Sequence, residues 1–381
     1  MKVLIIHPQC YHYGGAETVI IQLTKYLQQQ KVEVSILSRN MPEEVEKELL
    51  DTEILVPREA FNHPEKSDYE LRRFLHKHVE EWDVINPHTP FSELYLYPLK
   101  KPCVWMCNEP PASILYQNRL AEEDKKRVVE SITNIMVSDG FNAERIQKFY
   151  GVESTVNLYG VEHEFYEAGN PESSRLKFGI DENRFVVLHV GHLQEFKNQL
   201  ESLVAVGKVI GKIPNVLLVL AGWDGFPYAQ AVRSYIIQNP MLKDHVLLTG
   251  NVSREDTRDL YHLADLVVFP FKEQGGWLSF FEALCVKKPV LVGSNMLARK
   301  VVEQEKMGTV VTDFAKGILN VYQCPDKYKR LENKGFKWVK ENVSWQKFGA
   351  KMLDTYREAL EKEAWEWKAK KEGMAIIEAL Q

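Results

Sequence analysis

The chain is poor in cysteine, has no long apolar run and carries no excess of positive charge, and each shortage removes a class of protein. Its five cysteines, Cys10, Cys103, Cys107, Cys285 and Cys324, are scattered without a Cys-x-x-Cys pair. This implies neither a disulfide framework nor a zinc site, and Cys103 and Cys107, on an expected strand, read as small packed hydrophobes. No apolar stretch approaches the roughly 18 residues of a membrane span, and Met1–His7 is too short for a signal peptide. A cytoplasmic protein is expected, with a peripheral place at the inner membrane face as the further option. The formal net charge of −5 and the lack of a basic stripe argue against a nucleic-acid binder. The first 170 residues carry 18 Lys and Arg against 27 Asp and Glu, and the remainder 30 against 26. The mildly basic second half suits an anionic ligand.

What the chain does have is size, apolar content and glycine turns. With 381 residues, 45% of them hydrophobic, it exceeds one ordinary core, so two domains are expected. Phe269–Ala283 ends a buried strand, passes through Gly275-Gly276 and opens a helix carrying Glu282. Glycines let backbone N–H groups approach a ligand, and a helix N-terminus favours negative charge, which together is phosphate chemistry. Two further segments follow the same plan. Lys2–His7 leads through Gly14-Gly15-Ala16-Glu17 into an amphipathic run, and Phe185–Val190 leads through Gly191-His192 and Lys197-Asn198 into a helix.

Alternating strands and helices fill both halves. In the first, Glu33–Leu37, Asp83–Asn86, Cys103–Cys107, Asn134–Ser138 and Ser154–Leu158 read as strands. In the second, Val216–Ala221, Val246–Thr249, Leu266–Phe269, Val290–Val292 and Thr309–Val311 join Phe185–Val190. Such alternation calls for parallel sheets covered by helices, with ligands at the carboxyl ends of the strands. Gly160–Lys177, with Gly169, Pro171 and paired serines, reads as a linker. From Pro325 the pattern is helical, and Trp338, Trp345, Tyr356, Trp365 and Trp367 read as a packed stripe.

In this order and spacing, Gly14-Gly15-Ala16-Glu17, Gly191, Lys197-Asn198, Ala221-Gly222 and Gln274-Gly275-Gly276-Trp277-Leu278 through Glu282-Ala283 resemble the retaining family-4 (group 1) glycosyltransferases of the GT-B fold. Gly160-Val161-Glu162 with Phe165, and Ser344-Trp345 with Phe348, resemble further signatures of that family. The resemblance implies two doubly wound Rossmann-like domains facing each other across a cleft. They are an acceptor-side domain over 1–165 and a nucleotide-sugar-binding domain over 166–350, with a C-terminal helix over 351–381 crossing back to the first. It also implies transfer of a sugar from a nucleotide diphosphate to an acceptor hydroxyl on a glycan or lipid-linked glycan. Anomeric configuration is retained, and no cofactor or metal is required.

Site roles come with the resemblance, position by position. Lys197 matches the lysine on the donor diphosphate, Glu282 the glutamate on the ribose, and Gly14 and Gly15 the turn that meets phosphate from the first domain. Gly275, Gly276, Trp277 and Leu278 would face sugar or phosphates, with Gln274 orienting the sugar. Gly222 and Val252 end strands beside the donor, and Trp223 or Trp277 offers a face for base or sugar. Three positions depart from the family pattern. Gln274 stands for a glutamate, with Glu273 out of register; His192 stands for an arginine and lacks its bidentate fork; and Asn108 stands for a histidine and moves no proton. These departures leave a catalytically inactive sugar-nucleotide-binding subunit as the alternative.

On the acceptor side, His88 and Asp139 follow strands at the same face, Asp139 with a helix cap as its other reading. His76 and His78 point apart on a helix and do not suit a metal. Arg72, Arg73, Lys77, Lys100 and Lys101 form either a patch for anionic lipid heads or a solvated face.

Overall fold

The computed structural model describes the chain apart from residues 11–12, 58–66, 89–91, 109–121, 273–274, 276 and 380–381, with backbone only at 67 and 363–379. It divides into two compact units, Met1–Gly160 with Trp345–Gln381, and Val161–Ser344.

The first unit contains β1 (Lys2–Ile6), β2 (Glu33–Leu37), β3 (Glu53–Leu55), β4 (Val84–Pro87), β5 (Val104–Cys107), β6 (Asn134–Val137) and β7 (Thr155–Val156). They pair in parallel as β3-β2-β1-β4 and β5-β6-β7. A parallel bridge between Ile85 and Cys103 joins the two runs. The strands are near-continuous apolar runs because both faces are covered. Cys103 and Cys107 are buried among them. The helix Gly15–Gln29 buries Val19, Ile20, Leu23 and Leu27.

The second unit is a six-stranded parallel sheet. Its strands are β8 (Phe185–Val190), β9 (Val216–Ala221), β10 (Val246–Gly250), β11 (Leu266–Phe269), β12 (Val290–Gly293) and β13 (Thr309–Val311). Their order is β10-β9-β8-β11-β12-β13. Chain order therefore reverses between β8 and β11, as it does between β1 and β4 in the first unit. Such switch points leave a crevice at the carboxyl ends of the strands. The glycine turns read from the sequence follow β1, β8 and β11.

Two sequence expectations are corrected. Gly160–Lys177 is not a bare linker, since it holds the helices His163–Glu167 and Pro171–Phe178. Asn170 caps the second, accepting from Glu172 N at 3.1 Å, Pro171 occupies its first turn, and Gly179 closes it in the left-handed region. The residues taken for breakers are start and stop signals. The unit boundaries also fall before 165 and 350. His163 bonds Val343 O at 2.8 Å within the second unit, whereas Trp345 lies against Gly160 in the first. A Cβ at Gly160 would come within 2.5 Å of Trp345 Cα. The helix Trp345–Ala379 stays with the first unit: Asn157 Nδ2 donates to Phe348 O at 3.1 Å, and Tyr356 OH to Asn86 Oδ1 at 2.6 Å. Trp345 and Tyr356 are buried as expected. The side chains of Trp365 and Trp367 lie outside the described residues.

Candidate functional site

Gly191, at the carboxyl end of β8, and Gly222, at that of β9, both have φ +152. A Cβ on Gly222 would lie 2.4 Å from Gly191 O, so only glycine lets the two turns touch. Gln199 Nε2 donates to His192 O at 2.9 Å, and Leu193 N to Trp223 O at 2.9 Å. The β8 and β9 turns are thereby held as one surface. The Lys197-Asn198 turn is tied to the chain after β11. Lys272 N donates to Phe196 O at 2.8 Å, and Asn198 Nδ2 to Pro270 O at 3.2 Å, with Asn198 left-handed at φ 58.

Lys197 is seated between these pieces. Its Nζ lies 4.1 Å from the centroid of the buried Phe271 ring, and its stem runs past Gly191, where a Cβ would meet Cδ at 3.3 Å. Cation–π attraction and the missing Cβ fix the ammonium at the switch point. Behind it, burial and the Lys197 charge lower the His189 imidazole to about 3, so that ring stays neutral. His192 forms an aromatic group with Trp223 and Phe226, its ring centroid 6.3 Å from each. Trp223 is half-buried, whereas Trp277 is buried and stacked on Phe281 at 5.3 Å. Trp223 therefore keeps solvent-accessible surface that Trp277 does not. Gly222, Val252, Gly275 and Leu278 keep partial exposure. Gln274, Glu273 and Gly276 lie outside the described residues.

Glu282 projects from the helix Trp277–Cys285, and its Oε2 accepts from Tyr261 OH at 3.0 Å. Burial raises its carboxyl, and hydrogen bonds from Tyr166 and Tyr261 act in the opposite direction. Arg254, paired with Glu162 and lying 4.7 Å from the Phe165 ring centroid, adds positive charge nearby. Sequence reasoning missed Tyr166, Tyr261 and Arg254, because a tyrosine and an arginine at unremarked helical positions carry no local pattern. Their proximity to Glu282 exists only in the fold.

The same end of the first unit is built differently. His7 follows β1, and its Nε2 faces Glu17 Oε1 at 3.2 Å. Gly14 precedes the helix in an extended conformation without a side-chain cap, so Gly14 and Gly15 leave the helix N-terminus to its own N–H groups. His88, beyond β4, is wholly buried, and its Nε2 bonds Asn86 Oδ1 at 2.7 Å. Burial and neighbouring His7 lower its imidazole to about 3. Asn108 Nδ2 donates to His88 O at 3.0 Å, while Asn108 Oδ1 accepts from Tyr159 OH at 2.6 Å. His88 and Asn108 therefore belong to one ordered polar chain. Asp139 is a helix cap. Its Oδ1 accepts from Asn142 N at 2.8 Å as the cap of the helix Gly140–Tyr150.

His76, His78, Arg72, Arg73 and Lys101 have structural partners. His76 Nε2 bonds Tyr95 O at 2.7 Å, and His78 Nδ1 bonds Glu81 at 2.6 Å. In the basic group, Arg72 donates to Tyr97 O at 2.6 Å, Arg73 lies 3.6 Å from Glu70, and Lys101 lies 2.9 Å from Glu80.

Comparison with known proteins identifies a family. Residues 171–338 match the family model for glycosyl transferases group 1, and residues 13–165 that for glycosyltransferase family 4. The chain is 24% identical over 260 residues to a D-inositol 3-phosphate glycosyltransferase of Catenulispora acidiphila, covering 64% of this chain and 60% of that one. It is 26% identical over 196 residues to the alpha-monoglucosyldiacylglycerol synthase of Streptococcus pneumoniae, covering 50% and 43%. The chain thus spans about half the length of the curated relatives it matches. Among solved structures, Anabaena HepE in complex with UDP and glucose superposes with a TM-score of 0.78 at 16% identity, covering 94% of this chain and 100% of that one.

Proposed function

We propose, for a chain that belongs to the group 1 glycosyltransferases of the GT-B fold, that it moves a hexose from a nucleoside-diphosphate sugar to an acceptor hydroxyl with retention of configuration. The observation that carries this reading is the seat of Lys197. A fixed ammonium stands where two glycine turns meet at the switch point of the second unit. The bond from the anomeric carbon to the diphosphate breaks, and its electrons go to the leaving oxygen. Lys197 stabilises that charge at no reorganisation cost, the kind of term that dominates such reactions. The acceptor oxygen bonds the anomeric carbon, and its proton passes to the leaving phosphate, so no side-chain base is needed. On this reading Asn108 orders the polar chain of the first unit without serving as a base.

His192 adds a hydrogen bond to phosphate, Glu282 accepts from the ribose, and Gln274 with the turn at Gly275 orients the sugar. No metal takes part in the transfer. The S. pneumoniae relative, an alpha-monoglucosyldiacylglycerol synthase, motivates testing lipid-linked acceptors beside glycans, and the HepE complex makes UDP the first nucleotide to test. Among the described residues no helix is long and apolar enough to cross a membrane, which fits action from the aqueous phase on an acceptor at the cytoplasmic membrane face.

The test is a thermal-shift screen against UDP, GDP and ADP with their common sugars, followed by mass detection of released nucleotide. Stabilisation by one series with slow donor hydrolysis is expected. Binding without release, even with acceptor lipids and glycans supplied, would establish the non-catalytic reading instead.

A further inference from the structure

We propose that His7, Cys10 and Glu17 form a binding site for a borderline divalent cation, zinc by donor type, at the carboxyl end of β1. The three residues come from three local segments: the residue after the strand, the loop that follows it, and the first turn of the helix Gly15–Gln29. Their ligand atoms all lie within 4.8 Å of one another. His7 and Cys10 are fully buried and Glu17 is 7% exposed. An imidazole nitrogen, a thiolate sulfur and a carboxylate oxygen are the donors zinc takes.

The surroundings lack what such a group needs. Among the described residues, the Glu17 carboxylate has one hydrogen-bond partner, His7 Nε2 at 3.2 Å. The other nitrogen of that fully buried ring, Nδ1, has no partner there at all. Glu44 as well as Glu17 lies close enough to act on the Cys10 thiol, so negative charge collects around the sulfur. A buried carboxylate is ordinarily paired or bound to a metal. The Cys10 thiol donates to Met41 Sδ at 3.6 Å, a soft neighbour.

Binding is balanced simply. The Cys10 thiol releases its proton to solvent, the thiolate and the two other side chains donate to the cation, and a water fills the remaining tetrahedral place. The ion would pin the start of the β1 loop to the helix that follows Gly14-Gly15. This is separate from the transfer chemistry, which rests on Lys197 in the other unit, and its test needs no glycosyl donor.

The full chain, stripped with a chelator and dialysed, is titrated with Zn²⁺ against a chromophoric competitor and separately with Co²⁺. One equivalent of tight Zn²⁺ binding and a thiolate-to-cobalt charge-transfer band are expected. Cys10→Ser, close to isosteric, should abolish the band, and it and Glu17→Gln should each weaken Zn²⁺ by more than the roughly 10–100-fold that loss of an outer partner costs. Cys324→Ser, at the exposed cysteine, should change nothing. Should Cys10→Ser fail to fold, wild type and Cys324→Ser still decide. No stoichiometric binding to the wild type, a cobalt complex without the thiolate band, or a band lost in Cys324→Ser would each overturn the proposal. So would wild-type binding that survives in a folded Cys10→Ser. In those cases the cluster is a His7–Glu17 pair beside an ordinary buried thiol.

Discussion

The two units use one topology and finish it in opposite ways. Both reverse strand order beside their first strand. At that crevice the second unit places a cation, held by glycine turns and an aromatic ring. The first unit places a buried hydrogen-bond chain of His88, Asn86 and Asn108. An immobilised positive charge serves a step in which negative charge develops on a phosphate. A buried, ordered hydrogen-bond chain brings no such charge and holds the shape of its own crevice.

The largest effect should come from breaking the contact between the Gly191 and Gly222 turns of the second unit. Gly222→Ala puts a Cβ 2.4 Å from Gly191 O at φ +152. Strain at such a position costs on the order of 1–3 kcal/mol by itself, and here backbone must move as well. Urea denaturation should show a loss at or above about 3 kcal/mol, together with loss of nucleotide binding. A variant as stable as wild type would mean the two turns are not in contact.

Lys197→Ala comes next and should separate function from stability. Donor turnover should fall by roughly 10²–10³-fold, as when one stabilising donor is removed from an active site, while the melting temperature changes little. Equal turnover by mutant and wild type would remove the diphosphate assignment.

Glu282→Gln should weaken nucleotide binding by about 1.5–3 kcal/mol, the worth of a hydrogen bond to a charged group, and at the same time stabilise the fold. Because burial raises this carboxyl in the native state, the folded chain binds the proton more tightly than the unfolded one. Stability therefore falls as pH rises from the ordinary carboxyl value through the raised one. Glutamine removes that loss, so the gain should appear at neutral pH and vanish at low pH. Calorimetric titration of nucleotide and melting curves at several pH values read the two effects separately.

The buried histidines give a pH effect of opposite sign. His88 is lowered to about 3 from 6.5, so the unfolded chain binds more protons in that window, and stability is lost as pH falls through it. His189 behaves alike in the second unit, but only there does Glu282 oppose it. Each imidazole contributes at most about 1.4 kcal/mol per pH unit. His88→Gln should flatten the acid limb of the stability profile without moving the pH dependence of nucleotide binding. An unchanged acid limb would show that His88 is not buried as a neutral ring.

How much could be read in advance differs by level. The strands Phe185–Val190, Val216–Ala221 and Leu266–Phe269 stand at their expected bounds, because fully buried parallel strands are unbroken apolar runs ended by glycine or proline. β3, three residues at a sheet edge, was missed, and the strand expected over Ser154–Leu158 is only Thr155–Val156. Such short edges carry little pattern. The positions of Lys197, Gly222 and Glu282 were legible as turn chemistry in order along the chain. The seat under Lys197 was not, since Phe271 reads as one more core aromatic, and neither were Tyr166 and Tyr261, which reach Glu282 from separate helices. Sequence shows which residues follow a strand, and only packing shows what lies beneath them.

Gln274→Glu should have the smallest effect and sharpens the question left by the sequence. The change restores the family's carboxylate three residues after Phe271, whose ring holds the Lys197 ammonium. A glutamine offers hydrogen bonds to sugar hydroxyls but no charge to an oxocarbenium-like centre. If orientation is its whole task, Gln274→Glu keeps turnover at the wild-type level; if charge was what the site lacked, turnover rises. Both outcomes leave Lys197 as the dominant group. A fall in turnover with unchanged nucleotide affinity would instead show that the neutral amide is required, and that the second unit of this chain is matched to a donor sugar on which a carboxylate at this position is unfavourable.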